Sequence, residues 1–212
     1  RMARQHAGAR EADAHSETES RMKGAAARTA RNMEASLSIP TATSARAIPA
    51  KVLIENRVVI NGHLAHTRGG KVSFTHLIGW AVVEALAEMP AMNASYVTDD
   101  AGRPTLREPA HVAFGLAIDV PASSGERRLL VPSIKKADLM DVAGFIAAYE
   151  GLVAKARDGS LEVDDFRGTT VTLTNPGMIG TLHSVPRLMP GQGLIVGVGS
   201  MAYPAAFAGT SE

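Results

Sequence analysis

Polar and apolar residues alternate most regularly towards the C-terminus, where Thr169 to Thr174 interleaves Thr with Val and Leu. A period of two marks a strand with one buried and one polar face. Asn175-Pro176-Gly177 then removes a backbone donor, fixes one φ and permits a positive one, so the strand ends there with the Thr174 hydroxyl at its tip. Gly177, Gly180 and Thr181 allow close backbone approach in the following loop, and Pro186 and Pro190 stiffen it. Leu194-Ile195-Val196 predicts a second, fully buried strand closed by Gly197 and Gly199.

Upstream the period lengthens. Met22, Ala25, Ala26, Met33 and Leu37 fit a helix ending near Ser36, and Thr41 to Ala50 predicts a short strand. Lys51 to Arg68 is ambiguous: Leu53, Ile54, Val58 and Leu64 have helical spacing, yet Asn61-Gly62 between apolar runs is a hairpin signal. Ser73 caps a helix whose apolar face runs from Phe74, Leu77 and Ile78 through Ala81, Val82, Ala85 and Leu86 to Met89, ended by Pro90. Weak strand signal lies at Ser95 to Val97, and the alternating His111 to Val120 is expected to pair with Leu129 to Pro132. Asp138 or Asp141 starts a last helix, with Lys155 and Arg157 in its final turn and Gly159 past its end. Strands and helices that do not alternate regularly predict an α+β layer rather than a doubly wound parallel sheet. Residues 1–20 carry no apolar period and read as a flexible linker ahead of a domain spanning 21–212.

Composition narrows the classes. The 212 residues can bury a sizeable core, and 22 Lys and Arg against 21 acids leave a net charge of +1, with no field for nucleic acid or a membrane surface. No cysteine is present, which excludes disulfides, thiolate catalysis and Cys-ligated zinc and fits a cytoplasmic protein. No apolar run reaches the length of a membrane span. Because the chain starts at Arg1 rather than Met, it is expected to be a piece of a longer product.

The run T-L-T-N-P-G-M-I-G-T followed by P-G-Q-G-L-I-V-G-V-G resembles the catalytic domain of the 2-oxoacid dehydrogenase acyltransferases. The upstream blocks S-I-P-T-A-T-S-A-R-A-I-P-A-K, R-G-G-K-V-S-F-T-H-L-I-G and L-V-P-S-I-K-K-A-D are similar to the acyltransferase-like domain that actinobacterial 2-oxoglutarate dehydrogenase/decarboxylase chains carry ahead of their thiamine-diphosphate part. The resemblance covers roughly Met22 to Pro204 with the blocks in order. It decides Lys51 to Arg68 in favour of helix. It implies a chloramphenicol acetyltransferase-like fold, a two-layer sandwich with a mixed sheet covered on one face by helices, and succinyl transfer between a dihydrolipoyl carrier and coenzyme A. It also implies homotrimers with active sites between subunits. The carrier must come from a lipoyl-bearing acyltransferase chain, with dihydrolipoyl dehydrogenase as a further partner. Thiamine diphosphate and Mg are expected only in a downstream domain.

Such chemistry needs a base for the thiol and a donor where the tetrahedral oxyanion develops. In the family the donor is a Ser or Thr just before the turn, a position that Thr174 occupies; the plain alternative is a polar strand-end residue. The base is a histidine in an H-x-x-x-[D/N/Q]-G motif. None of His6, His15, His63, His66, His76, His111 and His183 has that spacing, so the motif, with its strand and helix, is expected beyond Glu212. His183 invites the role but sits in a loop, whereas the family's base follows a later strand. Two other readings stay open. One is a non-catalytic scaffold assembling a thiamine-diphosphate 2-oxoglutarate dehydrogenase; the other is a free-standing enzyme resembling chloramphenicol acetyltransferase.

Overall fold

The computed structural model describes residues 19–67, 69–121 and 127–202. Of the expected linker, 1–18 lie outside them, as does the tail from 203. Four helices form: α1 (Gly24–Ser36), α2 (Lys51–His66), α3 (Phe74–Glu88) and α4 (Val142–Asp158). Their ends follow local chemistry. Ser73 accepts from the His76 amide, while His76 Nδ1 accepts from the Ser73 amide, a reciprocal cap. Asp141 accepts from Gly144 N at 2.7 Å and opens α4, which Gly159 closes with φ of 78°.

The central sheet has strand order β6-β3-β7-β8, with β3 (Phe114–Leu116), β6 (Ser133–Ile134), β7 (Val171–Thr174) and β8 (Leu194–Gly197). β3 runs antiparallel to β6 and parallel to β7, and β7 is parallel to β8, so the sheet is mixed. Two antiparallel ribbons flank it: β1 (Ser95–Thr98) with β2 (Pro104–Arg107), and β4 (Ile118–Pro121) with β5 (Arg127–Leu130). Phe114, Leu116, Val171 and Leu173 line one face of the sheet and pack with Val83 and Leu86 of α3 and Phe145 and Leu152 of α4. Phe145 is fully buried, edge-on to Phe114 at 5.5 Å and tilted against Trp80 at 5.6 Å. Emptying such a position costs about 3–5 kcal/mol. Thr172 turns to the opposite face, where its hydroxyl donates to Gln192 Oε1.

Several expectations need correction. Thr41 to Ala50 forms no strand; it is irregular chain, exposed up to Pro49. The buried stripe of α3 is His76, Gly79, Val83 and Leu86, rotated from the expected face, and Ala81, Ala85 and Met89 face solvent. Gly79 makes this possible, since a Cβ there would stand 3.1 Å from the Phe145 ring. Residues 111–120 do not form one strand: β3 and β4 part at Ala117, so β3 takes β6 and only β4 takes β5. Asp138 starts no long helix; its carboxylate accepts from Val112 N and pairs with His111. The hairpin signal at Asn61-Gly62 has another cause, because the Asn61 side chain makes two hydrogen bonds to the backbone of Val72 and lashes mid-α2 to the approach of α3. β8 is half-buried rather than fully buried.

Candidate active site

Thr174 stands at the last residue of β7, opposite Gly197 of β8. Its carbonyl accepts from Val198 N at 2.9 Å. Its side chain shares the face of Thr172, away from the helices, by the alternation of a strand. Among the described residues its half-buried hydroxyl has no hydrogen-bond partner.

The turn after Thr174 is held against the exit of β8 by two backbone bonds and closed on itself by a third. Gly177 N donates to Val198 O at 3.0 Å, Ser200 N to Thr181 O at 2.9 Å, and Thr181 N to Pro176 O at 3.3 Å. Glycine is required for proximity. A Cβ on Gly177 would meet the Gly199 carbonyl carbon and oxygen at 2.3 Å, and one on Gly199 would meet Leu182 O at 2.2 Å. The positive φ expected at Gly177 falls at Gly180 instead, at 88°. The loop beyond exposes Met178, Ile179, Leu182 and Val185, an apolar strip beside the strand tip.

On the helix side, Asn175 Nδ2 donates to Thr75 Oγ1 at 3.0 Å. Next to Thr75, His76 is only 2 % exposed, its Nε2 lies 2.9 Å from Glu150 Oε1, and its ring stands edge-on to Tyr149 at 4.3 Å. Since Nδ1 accepts from Ser73 N, the ring proton resides on Nε2 and is donated to Glu150. Burial holds the imidazole below its ordinary value, against the opposing pull of Glu150. With both nitrogens engaged, His76 has no lone pair to offer a thiol. Burial also raises the Tyr149 phenol, the Glu150 charge adds to that, and the Thr75 hydroxyl acts in the other direction.

A cavity of about 180 Å³ opens beside this tip, lined by Arg57, Thr75, Asn175, Gly177, Ser200 and Met201 among others. The Arg57 guanidinium lies 4.1 Å from the centroid of the Phe74 ring, and its Nε is buried without a partner among the described residues. A buried cationic donor left unpaired is costly, so the cavity suits an oxyanion. A larger hollow of about 310 Å³ lies between β6 and α4, and Thr174 is not in its lining. Its lysines are committed: Lys135 to Ser133 Oγ and the Arg167 carbonyl, Lys155 to Asp165. Arg127 is likewise paired, with Asp119 at 2.6 Å. His183 is exposed in the loop after the turn, and His63 and His66 are exposed on α2.

The structure places the expected Thr174 at the strand tip, and beside it stand Arg57, Thr75 and Asn175, none of which the sequence marks as a site residue. Asn175 reads there only as a turn former. Arg57 reads as one surface charge among many, because nothing in a one-dimensional pattern places it over Phe74.

The family of 2-oxoacid dehydrogenases acyltransferase (catalytic domain) matches residues 14–211. The chain is 60% identical over 191 residues to the multifunctional 2-oxoglutarate metabolism enzyme of Mycobacterium sp. (strain JLS), covering 90% of this chain and 15% of that protein. The protein of the same name from Mycolicibacterium vanbaalenii is 58% identical with the same coverage, so the chain spans 15% of the length of these curated relatives. Among solved structures, the dihydrolipoamide acetyltransferase of Azotobacter vinelandii superposes with a TM-score of 0.77 at 25% identity, covering 99% of this chain and 83% of that one. A serine, a histidine and an asparagine have been investigated there for their role in the catalytic mechanism. A probable dihydrolipoamide acetyltransferase from Listeria monocytogenes gives a TM-score of 0.75 at 27% identity, covering 88% and 76%.

Proposed function

Because the chain belongs to the 2-oxoacid dehydrogenase acyltransferase family, we propose that it moves a succinyl group between a dihydrolipoyl carrier and coenzyme A in 2-oxoglutarate oxidation, with Thr174 as the oxyanion donor. The observation that carries this reading is the Thr174 hydroxyl, without a partner among the described residues, at a strand tip held by the backbone of β8 and by the Asn175 side chain. A thiolate attacks the thioester carbonyl, the oxygen gains negative charge, and the hydroxyl donates to it before the C–S bond of the leaving thiolate breaks. The proton of the attacking thiol goes to a histidine of the H-x-x-x-[D/N/Q]-G motif supplied from outside residues 1–212. Arg57 and its cavity take a phosphate of coenzyme A, for which a forked cationic donor is well matched.

On this reading residues 21–212 form the catalytic domain, of chloramphenicol acetyltransferase-like fold, with 1–20 as a linker. The exposed strip of Met178, Ile179, Leu182 and Val185 is covered by a neighbour in a homotrimer, which brings that neighbour to the Thr174 face. The lipoyl group arrives on another chain, and dihydrolipoyl dehydrogenase reoxidises it. Thiamine diphosphate and Mg act in a different part of a longer, cytoplasmic enzyme.

The test is acyl transfer from succinyl-coenzyme A to dihydrolipoamide by the full-length chain, followed by thioester absorbance. Thr174→Ala lowers kcat about 10²-fold with KM and Tm little changed, and Thr174→Ser keeps most of the rate. A loss of less than a few-fold places the donor elsewhere. One observation favours a second reading, a scaffold for the thiamine-diphosphate part: α2 has no buried residue and exposes Val52, Val58 and Val59, a surface for another domain to cover. An inactive full-length wild type with an intact dehydrogenase reaction decides for that alternative.

A further inference from the structure

We propose that Asn175 is a positioning residue for the Thr174 hydroxyl, acting through its side-chain tie to Thr75. The inference rests on the reading of Thr174 as the oxyanion donor.

Side chains leave β7 alternately: Val171 and Leu173 enter the core under α3 and α4, whereas Thr172 reaches Gln192 on the other face. Thr174 follows Thr172, while Asn175 reaches back to Thr75 on α3. The two side chains therefore leave the strand tip in opposite directions, joined by one peptide unit. That unit is planar, so only the ψ of Thr174 and the φ of Asn175 are soft between them. Anchoring the side-chain amide of Asn175 restrains both, and with them the direction in which the Thr174 Cβ projects. Val198 N, bonded to Thr174 O at 2.9 Å, holds the same peptide from the side of β8.

The anchor is firm. Thr75 lies in the first turn of α3, between Ser73 and His76, whose reciprocal cap and buried contact with Glu150 tie that turn to α4. The Thr75 oxygen accepts from Asn175, and its neighbour His76 stands edge-on to the Tyr149 ring of α4 at 4.3 Å. A path of hydrogen bonds and ring contact thus runs from α4 through α3 to the tip of β7. Turn formation does not call for a carboxamide in particular, since Ser or Gly at this position bends the chain as well. The donated bond to Thr75 does.

Steady-state transfer by the full-length enzyme tests this. Misplacing a reacting group by about 1 Å costs on the order of 10²-fold, so partial release of the tie lowers kcat roughly 10-fold. Asn175→Ala and Thr75→Val each show that loss in kcat, and Thr75→Ser, which keeps the hydroxyl, shows none. In a Thr174→Ala background, Asn175→Ala costs nothing further, because a residue acting through a hydroxyl has no effect once the hydroxyl is gone. The same cost in both backgrounds overturns the proposal, as does a Thr75→Ser variant as slow as Thr75→Val. Thr75→Val conserves volume and carries the test if Asn175→Ala does not fold. If Thr174→Ala itself leaves the rate intact, the oxyanion assignment fails. The tie is then read separately, as slow exchange of the Asn175 side-chain amide protons that is lost in Thr75→Val.

Discussion

Gly177→Ala probes the close approach on which the strand tip depends. The new methyl would stand 2.3 Å from the carbonyl carbon and oxygen of Gly199 and 2.4 Å from Ser200 N, all of them backbone atoms that cannot rotate away. Restoring ordinary contact at 3.4 Å demands a separation of about 1.1 Å between the turn and the exit of β8. That movement breaks the bonds Gly177 N to Val198 O and Ser200 N to Thr181 O. Two such bonds contribute about 1–3 kcal/mol net, and residual strain brings the expected loss to about 2–4 kcal/mol. For a domain of this size that is a fall in Tm of about 4–16 °C. The loss should appear in denaturant melts as a lower midpoint at unchanged slope. Transfer activity should fall further than stability at 25 °C accounts for, since the displaced turn carries Thr174 with it. A variant that melts within a degree of the wild type would refute the close approach itself.

Other positions give independent checks. Gly151→Ala, on the exposed side of α4 with nothing within 4 Å of the added Cβ, should stabilise the fold by about 0.5–1 kcal/mol in the same melts. Asp141→Ala removes the cap of α4 and should cost about 1 kcal/mol, with Asp141→Ser close to wild type. His76 is held neutral by burial, so below about pH 6.5 the unfolded chain takes up a proton that the native chain refuses. Its contribution to stability is therefore complete above that pH and declines on acidification until the lowered native value is passed. His76→Gln should flatten the dependence of Tm on pH between about 7 and 5, and an unchanged slope would remove His76 from the account.

The parts of this structure that follow from short-range chemistry are legible in the sequence. Ser73, Asp141 and Gly159 announce the ends of α3 and α4, and Thr169 to Thr174 announces β7 with its tip. What is hidden depends on partners far along the chain. The core face of α3 is misjudged because hydrophobicity favours Ala81 and Ala85, while the packing selects Gly79 for its lack of a Cβ and His76 for its tie to Glu150. The 111–120 segment reads as one strand because alternation continues through Ala117, yet β6 and β5 claim its two halves in different sheets. Asn61 imitates a hairpin because a residue that bonds backbone at Val72 looks like one that bonds its own turn. At the candidate site, the position of Thr174 at the end of β7 is legible from the turn that follows it, whereas Thr75 lies a hundred residues from Asn175 and no local pattern joins them.

The loose attachment of α2 has a thermodynamic consequence. None of its sixteen residues is buried, and it is fastened chiefly by Asn61 at Val72 and by Arg57 stacked on Phe74. A unit held so lightly opens by itself, well below the free energy that unfolds the core, and its amides should lose protection from hydrogen exchange first. Arg57 travels with it. Any oxyanion that occupies the cavity therefore binds only the closed form and suppresses that opening by RT ln(1 + [L]/Kd), so the exchange rate of a peripheral helix becomes a titration curve for the ligand.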